Sequence, residues 1–150
     1  MIPIRNIMLV DDNKIDLFVN KKVIETYDKK IRVIHFERAL SALEYLKISL
    51  HEKNLNYTTR PNVMFLDINM PQCNGFEFLD ALEKQGSLEV ENLRIIMLSS
   101  SSSPDDIYKA LRHPLCSGYI NKALTVEKLH EMINIDKKEY LTKYDFLNFK

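Results

Sequence analysis

An α/β fold with a doubly wound, five-stranded parallel sheet in the order 2-1-3-4-5 is predicted by three features of the sequence. Short apolar, β-branched runs recur five times. Segments with apolar residues at helical spacing separate them, and the runs themselves are nearly continuous rather than alternating. Strict strand–helix alternation implies right-handed crossovers and one parallel sheet with helices on both faces. Continuous apolar runs fit parallel strands covered on both sides. In the common five-strand order the chain reverses its direction of travel between strands 1 and 3, which opens a crevice at the carboxyl edge of the sheet.

Asn6 to Val10, Ile31 to Phe36, Asn62 to Leu66, Arg94 to Leu98 and Ser117 to Ile120 read as the strands, with the weakest pattern in the last. The helical segments carry Ile15, Val19, Val23 and Tyr27; Ala39, Ala42, Leu43, Leu46 and Leu50; Phe78, Leu79 and Leu82; Ile107, Ala110 and Leu111; and Val126, Leu129 and Ile133. Ser103-Pro104-Asp105-Asp106 sets a cap, a first-turn proline and two acids in the order of a helix start, and Thr125 precedes the fifth helix. His51 to Arg60 reads as a polar surface loop. Residues 136–150 place Tyr140, Tyr144 and Leu147 at helical spacing with Leu141 beside them, predicting an amphipathic extension of the fifth helix. The extension either folds back on its own domain or offers a helix to a partner or a second copy. Residues 1–135 are thus one folded unit and 136–150 a tail too short for a second core.

The chain has 150 residues, 45% hydrophobic and 28% charged, enough for one packed core without a disulfide or metal staple. Twenty-one Lys and Arg balance twenty-one Asp and Glu, so no general field attracts nucleic acid or anionic lipid. The first apolar run ends at Asp11 and Asp12, too short for a signal core or a membrane span, which points to the cytoplasm. Cys73 and Cys116 form no CxxC, and His35, His51, His113 and His130 show no ligand spacing. Gly75, Gly86 and Gly118 are isolated, so neither GxGxxG nor a P-loop is present. Carboxylates must carry the chemistry.

Asp11 and Asp12 follow strand 1 directly, Asp67 follows strand 3, Ser99 follows strand 4, and Lys122 lies two residues past strand 5. A parallel sheet brings all of these to one edge. Carboxylates about 4 Å apart repel by roughly 4 kcal/mol per pair at an effective dielectric near 20, so three of them call for a cation. Mg²⁺ suits such a site, since it is typically held by one or two carboxylates plus phosphate oxygens. Asp11 and Asp12 fit the ligand role, and Asp67 can share the metal through one oxygen while the other attacks phosphorus. Lys122 and the Ser99 hydroxyl then face the equatorial oxygens.

LVDDN at 9–13, FLDINMP at 65–71 with Gly75 four residues on, LSSS at 98–101 and YINK at 119–122 resemble the receiver domain of two-component response regulators, the CheY-like family, over roughly residues 4–135. The resemblance implies that Asp67 is the phosphoacceptor and that Asp11, Asp12 and the backbone carbonyl of Asn69 hold Mg²⁺ with it. It also implies that Ser99 and Tyr119 form a switch pair, Ser99 moving toward the phosphoryl group and the Tyr119 ring turning inward. The surface of helix 4, strand 5 and helix 5 would then change. The implied phosphodonor is a sensor histidine kinase or a histidine phosphotransfer protein, and the implied output of this stand-alone receiver is contact with a downstream protein or onward transfer.

Ala123 departs from the family, which often has a proline after the lysine with a cis bond before it. Either a trans peptide with an adjusted loop or an unusual cis one is expected here. Two other functions compete. A haloacid-dehalogenase-like phosphohydrolase also uses an aspartate nucleophile and Mg²⁺, but it wants a second aspartate two residues on as general acid, where this chain has Asn69. Loss of an acid or of the lysine would have favoured a phosphorylation-independent interaction module; none is lost, and apart from Ala123 nothing in the sequence recommends that reading.

Overall fold

The computed structural model describes residues 3–51, 60–86, 90 and 92–143. The elements run β1 (Asn6–Val10), α1 (Lys14–Tyr27), β2 (Arg32–Phe36), α2 (Ala39–His51), β3 (Val63–Leu66), α3 (Gly75–Gln85), β4 (Arg94–Ser99), α4 (Pro104–Arg112), β5 (Cys116–Asn121), α5 (Val126–Asn134) and α6 (Lys137–Lys143). All five strands pair in parallel in the order β2-β1-β3-β4-β5. The predicted class and strand order are those observed. His51 belongs to α2, and residues 52–59 of the predicted polar loop lie outside the described residues.

Every residue of β1 and β3 is buried, because helices cover both faces of the sheet centre. Coverage of β2 falls short of the expectation: Arg32 and His35 are exposed, since β2 is an edge strand. α1 packs with α5, and α2 with α3. α4 joins α3 through Lys109, whose ammonium lies 4.3 Å from the Phe76 ring centroid, and through His113, 2.9 Å from Asp80.

Local chemistry sets the helix starts. Asn13 Oδ1 accepts from the amides of Ile15 and Asp16 at 2.9 and 3.1 Å. Asn74 and Glu77 form a reciprocal capping box at α3, and Thr125 Oγ1 accepts from Lys128 N at 3.1 Å. Ser103 occupies the predicted cap position of α4 but makes no side-chain cap bond. Its amide instead donates to Ser101 Oγ at 3.2 Å.

The tail corrects the expected prolongation of the fifth helix. α5 stops at Asn134, and Ile135 is extended with φ −120° and ψ 147°. Arg94, at the start of β4, donates to the carbonyls of Met132, Ile133 and Ile135 and so occupies the acceptors that another helical turn would need. Asp136 and Glu139 then cap α6 reciprocally, each accepting from the other's amide at 2.8 and 3.1 Å. α6 folds back on the domain. Tyr140 is 4% exposed, packs over edge strand β5 and donates its hydroxyl to the Tyr119 carbonyl. Tyr144 and Leu147 lie outside the described residues.

This packing predicts that Tyr140→Phe, which removes one buried hydrogen bond, costs about 1 kcal/mol of unfolding free energy. Tyr140→Ala costs about 3–5 kcal/mol because it also empties the site. Urea unfolding of both variants checks this; an unchanged Tyr140→Ala would contradict the docking of α6 on β5.

Candidate functional site

The last rungs of the sheet ladder place the acids and the lysine. Asp11 N donates to Phe36 O at 3.1 Å, Asp67 N to Val10 O at 3.0 Å, and Lys122 N to Ser99 O at 2.8 Å. Each side chain therefore leaves the backbone at the carboxyl edge, where β1 and β3 flank the reversal of strand order. Gly75 lets the chain pass close behind the acceptor loop: a Cβ there would lie 2.6 Å from the Asp67 carbonyl and 3.0 Å from Ile68 Cα. Its amide donates to Ile68 O at 2.8 Å, closing the loop that carries Asn69.

Asp11, Asp12 and Asp67 each bring one carboxylate oxygen within 4.8 Å of the others. Asp11 and Asp67 are buried, at 4% and 5% exposure, and Asp12 is open to solvent. Three carboxylate oxygens gathered this closely are the hard donor set that Mg²⁺ takes. Burial raises the Asp67 carboxyl to about 6, with Asp11 and Asp12 adding to the rise and Lys122 opposing it. That congestion of negative charge is the condition a divalent cation relieves.

Lys122 Nζ sits 2.9 Å from Asp11 Oδ2, 2.9 Å from Asp16 Oδ2 and 3.5 Å from Asp67 Oδ1. Burial alone would lower its pKa, but the hydrogen bonds to Asp16 and Asp11 and the charge of Asp67 raise it above the usual lysine value. The Lys122–Ala123 peptide is cis, the second of the two geometries expected. Asp16 is a site residue that the sequence reading missed. Its position, three residues past the Asn13 cap, reads as an ordinary first-turn acid, and only the contact with Lys122 shows that it faces the same edge.

Ser99 is fully buried, and its Oγ accepts from Ser101 N at 3.1 Å. The Ser101 carbonyl in turn accepts from Tyr119 Oη at 2.6 Å, while Ser101 Oγ donates to Asp106 Oδ2 at 2.6 Å. Ser99, Ser101 and Tyr119 are therefore consecutive links of one hydrogen-bonded chain. The Tyr119 ring is already inside, at 5% exposure, and burial raises its phenol pKa against the opposing influence of the neighbouring Ser99 and Ser101 hydroxyls. Asn69 lies exposed in the loop after Asp67. Burial, followed by the charge of Glu77, raises the Cys73 thiol, which makes it a poor nucleophile at neutral pH.

A carboxyl whose pKa is about 6 when folded and 3.8 otherwise holds its proton more tightly in the native state. Its contribution is present below about pH 4 and is lost as pH rises through about 6. In EDTA at pH 7, Asp67→Asn is expected to be about 1–3 kcal/mol more stable than the parent, with Lys122 keeping Asp11 and Asp16 as partners. The difference should shrink at pH 4 and on adding Mg²⁺. Denaturant unfolding under the three conditions reads it, and a variant less stable at pH 7 would contradict the described electrostatics.

Residues 7–134 match the family model of the response regulator receiver domain. Response regulator Rcp1 of Synechocystis is 26% identical over 132 residues, 87% of this chain and 85% of that protein. The probable methanogenesis regulatory protein FilR2 of Methanothrix harundinacea is 28% identical over 134 residues, covering 89% and 81%. Among solved structures, a two-component response regulator from Cytophaga hutchinsonii superposes with a TM-score of 0.78 at 26% identity, over 89% of this chain and 96% of that one. With the sheet order, the acidic trio and the lysine on one edge, the match over most of the chain leads to one conclusion: this protein belongs to the response regulator receiver domain family of two-component systems.

Proposed function

We propose that the chain is a phosphorylation switch in which Asp67 accepts a phosphoryl group, in a Mg²⁺-dependent reaction, from a phosphohistidine on a sensor histidine kinase or a histidine phosphotransfer protein. The observation that carries this reading is the placement of Asp67 within 4.8 Å of Asp11 and Asp12 oxygens and 3.5 Å from the Lys122 ammonium. Asp11, Asp12, Asp67 and the Asn69 carbonyl would hold Mg²⁺, which supplies positive charge to the phosphoryl oxygens.

An Asp67 carboxylate oxygen attacks phosphorus, forming an acyl phosphate as the donor's N–P bond breaks and its imidazole nitrogen leaves. Lys122 lies beside the acceptor as a compact cation for the transferring oxygens. The Ser99 hydroxyl donates its proton to another of them, and as Ser99 moves toward the phosphoryl group the bond it accepts from Ser101 N shifts with it. Since the Ser101 carbonyl holds Tyr119 Oη, the same movement reaches β5. The signal passes as a reorganisation of that chain around a ring already inside, rather than as an inward turn of the ring. Water attack on phosphorus returns the free carboxylate and releases inorganic phosphate. Asn69 offers no general acid for turnover of a separate substrate, so the switch reading stands over the phosphohydrolase one.

The surface supports partners at two places. Ile15, Phe18 and Val19 on α1 are 73%, 63% and 42% exposed and form an apolar strip just past Asp12, a seat for the donor beside the acceptor. α4 presents exposed Tyr108, whereas α6 covers part of β5. Output to a downstream protein is therefore assigned to the α4 side. Residues 1–135 act as the receiver unit and 136–150 as its tail. No helix among the described residues is long and apolar enough to cross a membrane. The cytoplasm is the compartment that this reading of the donor assigns.

Incubation with acetyl phosphate and Mg²⁺ should add one labile phosphoryl group by intact mass, and EDTA or Asp67→Asn should abolish it. Lys122→Met should slow labelling at least tenfold, the scale of losing one electrostatic contact to a transferring group, roughly 10²-fold at most sites of this kind. Undiminished labelling of Asp67→Asn would overturn the assignment of the acceptor.

A further inference from the structure

We propose that Lys128 is a positioning residue for Lys122: from the first turn of α5, its ammonium ties down the two backbone carbonyls that flank Lys122 and so holds that lysine at the acidic edge. The inference rests on the reading of Lys122 as the cation that faces the phosphoryl group.

Lys128 Nζ donates to Asn121 O and to Ala123 O, each at 2.9 Å. Between these two points the Lys122 amide donates to Ser99 O at 2.8 Å. Three consecutive residues are thus held, from α5 on one side and from β4 on the other. The Lys122 side chain leaves from the middle of this grip to reach Asp11 and Asp16 at 2.9 Å and Asp67 at 3.5 Å.

The place of Lys128 in the helix argues against a bland role. It is the third residue of α5, where its own amide donates to Thr125 Oγ1. The first turn of a helix carries the positive end of the backbone dipole, so an acid is favoured there and a cation opposed. The neighbour Glu127 obeys that rule and Lys128 breaks it. Two carbonyl acceptors for one ammonium account for the exception. The loop also needs a restraint from outside its own residues. At position 123 an alanine leaves φ free, whereas a proline ring would fix it. Lys128 is partly exposed, so its shortening empties no core site.

Lys128→Met keeps the aliphatic stem and removes the donor; Lys128→Arg keeps a cation with several N–H groups. In the full-length chain with acetyl phosphate and Mg²⁺, Lys128→Met is expected to slow maximal labelling about tenfold, since displacement of a catalytic group by about 1 Å costs up to roughly 10²-fold. The acetyl phosphate concentration for half-maximal rate should stay unchanged, and Lys128→Arg should recover most of the rate. Hydrogen exchange at the Lys122 amide should quicken in Lys128→Met and not in Lys128→Arg. In a Lys122→Met background, Lys128→Met should have no further effect, because the two residues act through one cation. Equal slowing in both backgrounds, or full protection of the Lys122 amide in Lys128→Met, would overturn the inference. A parent chain that takes no phosphoryl group while Lys128→Met still loosens the Lys122 amide would instead overturn the phosphoacceptor reading and leave Lys128 as a loop clamp alone.

Discussion

The Lys122 ammonium, shared among Asp11, Asp16 and Asp67, is the interaction on which the rest of the site depends. The sheet drives two buried carboxylates and an exposed third toward one point, and burial already pushes Asp67 up to about 6. One ammonium cannot neutralise that set. It lowers the repulsion enough for the fold to close while leaving an unmet demand for positive charge. A divalent cation would answer that demand, and in the proposed switch the phosphoryl oxygens would then give Lys122 a new partner.

Precision at this edge comes from the backbone. The amides of Asp11, Asp67 and Lys122 each donate to the end of a neighbouring strand, so the three side chains start from fixed points. The far side of the molecule is tied to the same frame. Arg94 takes the terminal carbonyls of α5, α6 turns back, and Tyr140 holds the Tyr119 carbonyl on the strand whose side chain reaches Ser101. Tyr119 is consequently gripped through both its main chain and its hydroxyl. A change at Ser99 meets a connected network rather than an isolated rotamer.

The strands, their order and the residues gathered at the carboxyl edge were legible in the sequence, because five short apolar runs alternate with segments at helical spacing and that alternation implies one parallel sheet. What escaped has identifiable causes. β2 carries Arg32 and His35 outward because it lies at the sheet edge, a property of topology that no local pattern reports. The tail breaks at Ile135 because Arg94, 41 residues earlier, takes the carbonyls that would have extended the helix. Asp16 and Lys128 read as ordinary first-turn residues of their helices until the loops bring them to Lys122 and its flanking carbonyls. Ser103 had the order of a cap, but Ser101 Oγ reaches its amide first.

The most direct test of the central claim is chemical identification of the modified side chain. After treatment with acetyl phosphate and Mg²⁺, the protein is reduced with borohydride, which converts an aspartyl phosphate to homoserine, and its peptides are sequenced by mass spectrometry. The account predicts homoserine at position 67 and an unchanged serine run from 99 to 103. Phosphoserine within that run, with Asp67 intact, would contradict it.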